Sequence, residues 1–130
     1  MKASILTPNG LVFEGDVEGL KMPGVKGSFE VLKDHDRLVS LLETGKMVIK
    51  TREKIHSYAV TGGFAEINDN VITVMAEEAL RSDEIDLKAE EEKKQQLEKK
   101  IKKLLLDSPE REQAEREHYL VMNRIAVARS

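Results

Sequence analysis

Apolar residues recur at every second position through most of the first eighty residues. Leu11 and Phe13, Leu20 and Met22, Phe29 and Val31, Met47 and Ile49, and Val71, Thr73 and Met75 each form such a pair or triplet. Successive side chains of a strand point to opposite faces, so this spacing predicts half-buried β-strands. Turn-forming residues separate them: Pro8-Asn9-Gly10, Pro23-Gly24, Thr44-Gly45, Gly62-Gly63 and Asn68-Asp69-Asn70. Turn signals roughly 8–12 residues apart indicate an antiparallel sandwich or barrel rather than alternating strands and helices. Val71 to Ala76 is apolar on both faces, with Val71 and Met75 on one and Ile72 and Val74 on the other, which predicts a central strand.

The period changes within Arg81 to Asp86, and beyond Asp86 there is no glycine. Asp86 can cap a helix whose first turns carry Glu90, Glu91 and Glu92, negative charge at the positive end of the helix dipole. Leu97, Ile101, Leu104 and Leu105 then form a stripe at three- and four-residue spacing. Ser108 followed by Pro109 and Glu110 restarts the helix, and Ala114, Val121, Met122, Ile125 and Ala128 supply a facing stripe. So short a connection makes the two helices antiparallel. The pattern therefore predicts an α+β chain: an antiparallel β-sandwich over residues 1–84 and an α-helical hairpin over residues 85–130. From Lys88 to Gln96 the only apolar residue is Ala89, so the first turns have helix propensity but little to bury. Pairs at four-residue spacing, Glu90 with Lys94 and Glu98 with Lys102, are expected to support them by about 0.2–0.5 kcal/mol each. A hairpin of this kind needs packing to be stable, against itself, the sandwich or another chain.

Composition narrows the function. The chain is 40% hydrophobic but only 4% aromatic, which supports a core of modest size and makes assembly with a partner a natural expectation. With no cysteine, disulfides and thiolate metal sites are excluded. No apolar run approaches the roughly 20 residues of a membrane span, and Met1 to Gly10 lacks the apolar stretch of a signal peptide. A net charge of −3 argues against a nucleic-acid surface. The charge is uneven: up to Asp86 there are 10 basic and 15 acidic residues, from Leu87 onward 11 and 9, so that the parts carry −5 and +2.

Candidate chemistry begins with Gly24 and Gly27 and the histidine behind them, His35. A phosphate loop follows a buried parallel strand and opens a helix. These glycines instead follow Pro23 and precede the alternating stretch Ser28 to Leu32, so they read as a corner between strands. His35 has no serine or cysteine nucleophile beside it with an orienting acid, and His56 and His118 show no metal-ligand spacing. All three read as loop or surface histidines. Glu77-Glu78 and the cluster of Asp83, Glu84 and Asp86 read as solvated surface or helix caps. No catalytic constellation emerges.

The stretches Gly24 to Leu42, Val60 to Ile67 and Val71 to Ala76, with Ile85-Asp86 and Asn123 to Ala128, taken in order, resemble the epsilon subunit of the bacterial and chloroplast F-type ATP synthase. The resemblance covers essentially the whole chain. It implies a non-catalytic part of a rotary motor. The sandwich would bind the gamma subunit and sit on the ring of c subunits, coupling proton or sodium flow to rotation. The helices would fold down on the sandwich or extend toward the alpha and beta subunits of the catalytic head and hinder ATP hydrolysis. Membrane contact comes only through the assembly, on the cytoplasmic face of a bacterial plasma membrane or the stromal face of a thylakoid.

The resemblance also assigns residues. Gly24, Lys26, Gly27, Ser28, Glu30 and His35 fall in the loop that docks to the rotor. Ser28 stands where many members have glutamate, Glu30 where many have glycine, and Arg37 where proline is usual. Some bacterial members bind ATP through Ile/Leu-Asp-x-x-Arg-Ala and arginines of the second helix. Here Ile85, Asp86 and Arg124 match, but Ala89 and Glu90 replace the Arg-Ala pair and Leu120 stands one turn before Arg124. No guanidinium is regained from Ala or Leu, and Glu90 repels a triphosphate, so no cofactor is expected. Lys99, Lys103, Arg111, Arg116, Arg124 and Arg129 are the candidate inhibitory contacts to an acidic segment of the beta subunits. Without the resemblance, two other readings stay open: a free-standing adaptor whose hairpin grips client helices, and a small hydrolase using His35 and nearby carboxylates.

Overall fold

A computed structural model describes all residues, Met1–Ser130. Eight strands run in chain order: β1 (Lys2–Thr7), β2 (Gly10–Asp16), β3 (Gly19–Gly24), β4 (Gly27–Leu32), β5 (Leu38–Leu42), β6 (Gly45–Lys50), β7 (Ile55–Asn68) and β8 (Val71–Arg81). A 3-10 turn, Ser82–Glu84, leads to helices α1 (Leu87–Lys103) and α2 (Pro109–Arg129). The chain divides into two compact units after Arg81, so Ser82–Glu84 belongs with the helices, three residues ahead of the 84/85 boundary expected from sequence.

The first unit is the β part of an α+β chain, as its alternation indicates, with one departure from a purely antiparallel sheet: β1 pairs with β8 in parallel. Strands β2, β1, β8, β7 and β5 follow one another as one layer, and β4, β3 and β6 join the N-terminal half of β7 as the other. Between them lies a core of Ala3, Ile5, Ala65, Ile67, Ile72 and Val74 from the first layer and Leu20, Met22, Val31, Met47, Ile49, Tyr58 and Val60 from the second. As Val71 to Ala76 predicts, β8 is central, held between β1 and β7. Its second apolar face is not covered, however, and Val71 and Met75 are exposed.

Two turn assignments fail for a steric reason. Gly62-Gly63 is no turn; it lies inside the 14-residue β7, at the point where the strand leaves β6 (last partner Val60) for β5 (first partner Gly63). Both glycines have positive φ, 57° and 116°, which bends the strand from one layer to the other. A Cβ on Gly63 would lie 2.0 Å from the carbonyl oxygen of Met75. Pro23-Gly24 is likewise the end of β3, and the true turn is Val25-Lys26. Gly24 pairs with Gly27 across it, and a Cβ on Gly24 would stand 2.8 Å from the Gly27 carbonyl oxygen. The β7–β8 turn is Asp69-Asn70, both left-handed, which asparagine and aspartate tolerate best.

In the helical unit the capping expectations hold. Asp86 Oδ1 accepts from the Ala89 amide at 3.1 Å, and Ser108 Oγ from the Arg111 amide at 3.2 Å with Pro109 in the first turn. Leu97, Ala114, Val121 and Ile125 form the core, with Leu87, Ile101 and Leu104 packed on it. Leu105 does not join the stripe: α1 ends at Lys103, and Leu105 is 81% exposed. Met122 is exposed too, and Val127, absent from the expected stripe, is buried.

Candidate functional site

Four of the six docking-loop residues share one hairpin of the sandwich. Lys26 is in the two-residue turn between Gly24 and Gly27, and Val25 donates its amide to the Leu41 carbonyl at 3.0 Å, tying the hairpin tip to β5. Ser28 Oγ reaches the Met22 carbonyl at 3.4 Å. Glu30 lies farther along β4, opposite Lys21, with its carboxylate 3.8 Å from Lys50 Nζ. His35 belongs to a separate loop, Lys33–Arg37, where its Nδ1 lies 2.7 Å from the Asp36 carbonyl oxygen and its amide donates to the Leu32 carbonyl at 3.1 Å. Gly24, Lys26, Gly27 and Ser28 thus share one hairpin, and Glu30 and His35 stand outside it.

That second loop is clamped. The Asp34 amide donates to Asn70 Oδ1 at 2.7 Å, and Asn70 Nδ2 donates to Asp34 Oδ1 at 3.1 Å. The β7–β8 turn therefore fixes a loop 36 residues away in sequence.

Sequence reading missed the larger feature of the sandwich. Cross-strand pairing sets Leu41 opposite Phe64, Phe64 opposite Met75, Met75 beside Leu6, and Leu6 opposite Leu11. Partners in register share a face, so these five form one apolar row across β5, β7, β8, β1 and β2. Leu41, Phe64 and Met75 are 64%, 43% and 40% exposed, and Val39 lies on the same face of β5. The groove between Gly24–Phe29 and Leu38–Leu41 adjoins the β5 end of the row. The signal was present in the period-two residues on the wrong face of β8, Val71 and Met75, but only the pairing joins them to their neighbours.

On the hairpin, the expected i,i+4 pairs are replaced by bonds between the helices. Glu90 does not reach Lys94; its Oε2 lies 3.0 Å from Arg124 Nε, a close ion pair without the alignment of a hydrogen bond, and its Oε1 lies 3.6 Å from Lys93 Nζ. Glu98 faces His118 at 3.6 Å rather than Lys102, and Arg129 pairs with Glu91. Glu90 is 8% exposed, the one buried charged residue of the chain. Arg111 donates from Nη1 to the Leu104 carbonyl at 3.1 Å and from Nε to Glu115 at 3.0 Å, and Arg116 lies 3.8 Å from Glu112. Lys99 and Lys103 are exposed. Of the candidate inhibitory contacts, then, the four arginines are engaged within the hairpin. At the motif positions, Asp86 is occupied as a cap and Arg124 faces a carboxylate of its own chain.

His35, His56 and His118 lie on separate elements, and no group of three or more metal-ligating side chains forms. No helix is long and apolar enough to cross a membrane. What the two units present is surface: an apolar row with a clamped loop on one, a charge-bridged helix pair on the other. This is the class of a β-sandwich domain with a helical appendage. The family model for the ATP synthase delta/epsilon chain β-sandwich domain matches residues 1–82. The ATP synthase epsilon chain of Leptospira borgpetersenii is 31% identical over 99 residues, spanning 76% of this chain and 78% of that one. That of Nitratidesulfovibrio vulgaris is 38% identical over 97 residues, spanning 75% and 72%. Two solved structures share the fold. One is from the mitochondrial ATP synthase of Euglena gracilis, with a TM-score of 0.79 and 21% identity over 98% of this chain and 78% of that one. The other is from the central stalk and c-ring of the Tetrahymena thermophila enzyme, at 0.69 and 14% over 98% and 96%. The chain belongs to the ATP synthase epsilon-chain family: it is a non-catalytic subunit of that complex.

Proposed function

We propose that the sandwich couples ion flow through the c ring to rotation of the central stalk by docking on two sides. The apolar row, Leu41–Phe64–Met75–Leu6–Leu11, is the face that meets the gamma subunit, and the Val25-Lys26 tip with the clamped Lys33–Arg37 loop faces the c ring. The observation that carries this is the row itself. Apolar residues aligned across five strands, four of them exposed and Leu6 half-buried, are what a permanent subunit interface requires. One structural neighbour comes from a central stalk with its c-ring, which supports this reading. The chain would then be peripheral to the membrane, on its cytoplasmic face, held only through the assembly.

The hairpin in this reading is a brake on ATP hydrolysis, engaging the alpha and beta subunits with its cations when opened. It holds no ATP, because Ala89 and Leu120 supply no guanidinium and Glu90 occupies Arg124. The test of the docking face is to place a charge in the row. Leu41→Glu and Phe64→Glu, at exposed positions, leave the isolated fold intact, which circular dichroism checks. Each is expected to weaken binding to a gamma-containing complex by at least about tenfold, since a buried apolar group of about 1.5–3 kcal/mol is replaced by a buried charge. Unchanged binding by both variants would place the gamma interface elsewhere.

A further inference from the structure

The helical unit has a small apolar core of four buried side chains, yet it buries a carboxylate as well. Burying a charge is unfavourable unless it is paired, and Glu90 is paired twice: with Arg124 from the opposite helix and with Lys93 one turn along its own. The Arg124 side chain is itself only 13% exposed. Two further pairs cross the same interface, Glu91 with Arg129 and Glu98 with His118, both more open to solvent. The acids lie on α1 and their partners on α2, and the buried pair is the one least weakened by screening.

We propose that Glu90 is a positioning residue: its carboxylate, held against Arg124, fixes the register in which α2 packs on α1 and keeps the hairpin closed without any bound anion. Apolar contacts alone specify register poorly here. Val121 and Ile125 stand one turn apart on α2, so a slide of one turn could still set an aliphatic side chain against Leu97. A slide of one turn, about 5.4 Å, would instead part the half-buried Arg124 from Glu90 and leave that buried carboxylate only Lys93 of its own helix. The pair is thus a device for uniqueness rather than for bulk stability, the use of buried ionic groups that is best attested in helix packing. It also gives the first turns of α1, which carry almost no apolar side chains, the partner they lack. The regulatory consequence rests on the proposed brake: an internal acid keeps the hairpin closed at rest, so its opening answers to the assembly and not to free nucleotide.

The experiment uses the full-length chain. Hydrogen exchange followed by mass spectrometry reads the amides of Leu87–Lys103 and Pro109–Arg129 separately from those of the sandwich. Glu90→Gln, which keeps the shape and removes the charge, and Arg124→Ala are each expected to speed exchange in both helices by about tenfold or more, with the sandwich unchanged. The exchanged pair, Glu90→Arg with Arg124→Glu, is expected to recover part of the protection. Wild-type protection in both single variants would overturn the proposal, and so would a charge-swapped chain as unprotected as the single ones. Hydrolysis by the assembly carrying Glu90→Gln is read separately: stronger inhibition agrees with the brake. Faster exchange with unaltered hydrolysis would refute the brake and leave the positioning role standing.

Discussion

The clamp between Asp34 and Asn70 permits a clean perturbation, because both residues already have left-handed backbones, φ 65° and 62°. Glycine adopts that conformation without strain, so Asn70→Gly and Asp34→Gly delete side-chain contacts while leaving the turns their shape. Two bonds are lost in Asn70→Gly: an amide to a side-chain oxygen at 2.7 Å and an amide nitrogen to a carboxylate at 3.1 Å. Neutral hydrogen bonds contribute about 0.5–1.5 kcal/mol net and those to charged groups about 1.5–3. Both bonds are exposed to solvent, which argues for the low end, about 1–2 kcal/mol together. For a unit of this size each kcal/mol shifts Tm by about 4–8 °C. Gly and Asn differ in unfolded-state entropy by an amount similar to the strain that Gly relieves, so the single variants alone do not isolate the bonds. Asp34→Gly keeps its backbone amide, so a double-mutant cycle isolates the bond from Asn70 Nδ2 to Asp34 Oδ1: urea unfolding of wild type, both single variants and the double variant is expected to return a coupling of about 0.5–1 kcal/mol between the two positions. Amides of Lys33–Arg37 should lose protection in each single variant. Additivity to within about 0.3 kcal/mol, with loop exchange unchanged, would refute the clamp.

Gly63→Ala should unfold or severely destabilise the sandwich, by about 3 kcal/mol or more, since its Cβ would overlap the Met75 carbonyl at a φ of 116°; a thermal melt within a few degrees of wild type would contradict the corner geometry. Gly10→Ala is the control, with a similar φ of 122° and nothing within 4 Å, and should cost only about 1–2 kcal/mol of backbone strain. A chain ending after Asp86 is expected to retain a cooperative melt and to bind gamma, because the sandwich has its own core; loss of either would show that the units are not independent. Incorporated in the assembly, that truncation should raise ATP hydrolysis, most at low salt, and equal rates with both chains across ATP concentrations would end the brake reading. Calorimetry of the isolated chain should show no ATP binding at micromolar levels, and a tight isotherm would overturn the assignment of Arg124 to Glu90.

The strands were legible where alternation is strong and failed where it is interrupted. Leu38–Leu42 hides as a strand because Val39 and Leu41 are apolar and exposed, so its two faces look alike in sequence. The Gly62-Gly63 pair carries the local signature of a turn. Only the long pairing of β7 with β8, running from Tyr58–Arg81 to Asn68–Val71, shows that the chain bends without reversing. Helix caps were legible because capping is local, an aspartate or serine acting three residues away. The ion pairs were not. Glu90–Lys94 and Glu98–Lys102 satisfy the spacing rule, yet both glutamates turn to α2, where Arg124 and His118 lie. An exposed pair along one helix contributes little, and a partner in the partly buried interface is favoured because it relieves a desolvated charge.

The same charges cannot serve closure and braking at once, and this limits how the hairpin can act. In the closed hairpin Arg124 and Arg129 are bound to α1, and Arg111 holds the Leu104 carbonyl at the end of that helix. Any contact these arginines make with an acidic partner must therefore replace an internal one. Only exposed cations such as Lys99 and Lys103 can meet a partner before the hairpin opens. On the proposed brake those lysines would set the first encounter, which salt should slow, while the arginines would determine how firmly the opened state is held. Shifting a two-state element from 1:99 to 99:1 takes about 5.5 kcal/mol of differential binding. Exposed rungs of about 0.2–1 kcal/mol each do not supply it in either direction. Parting Arg124 from Glu90 leaves a buried carboxylate with a weaker partner, so on the proposed reading a brake would have to offer Arg124 a carboxylate as well shielded as the one it gives up.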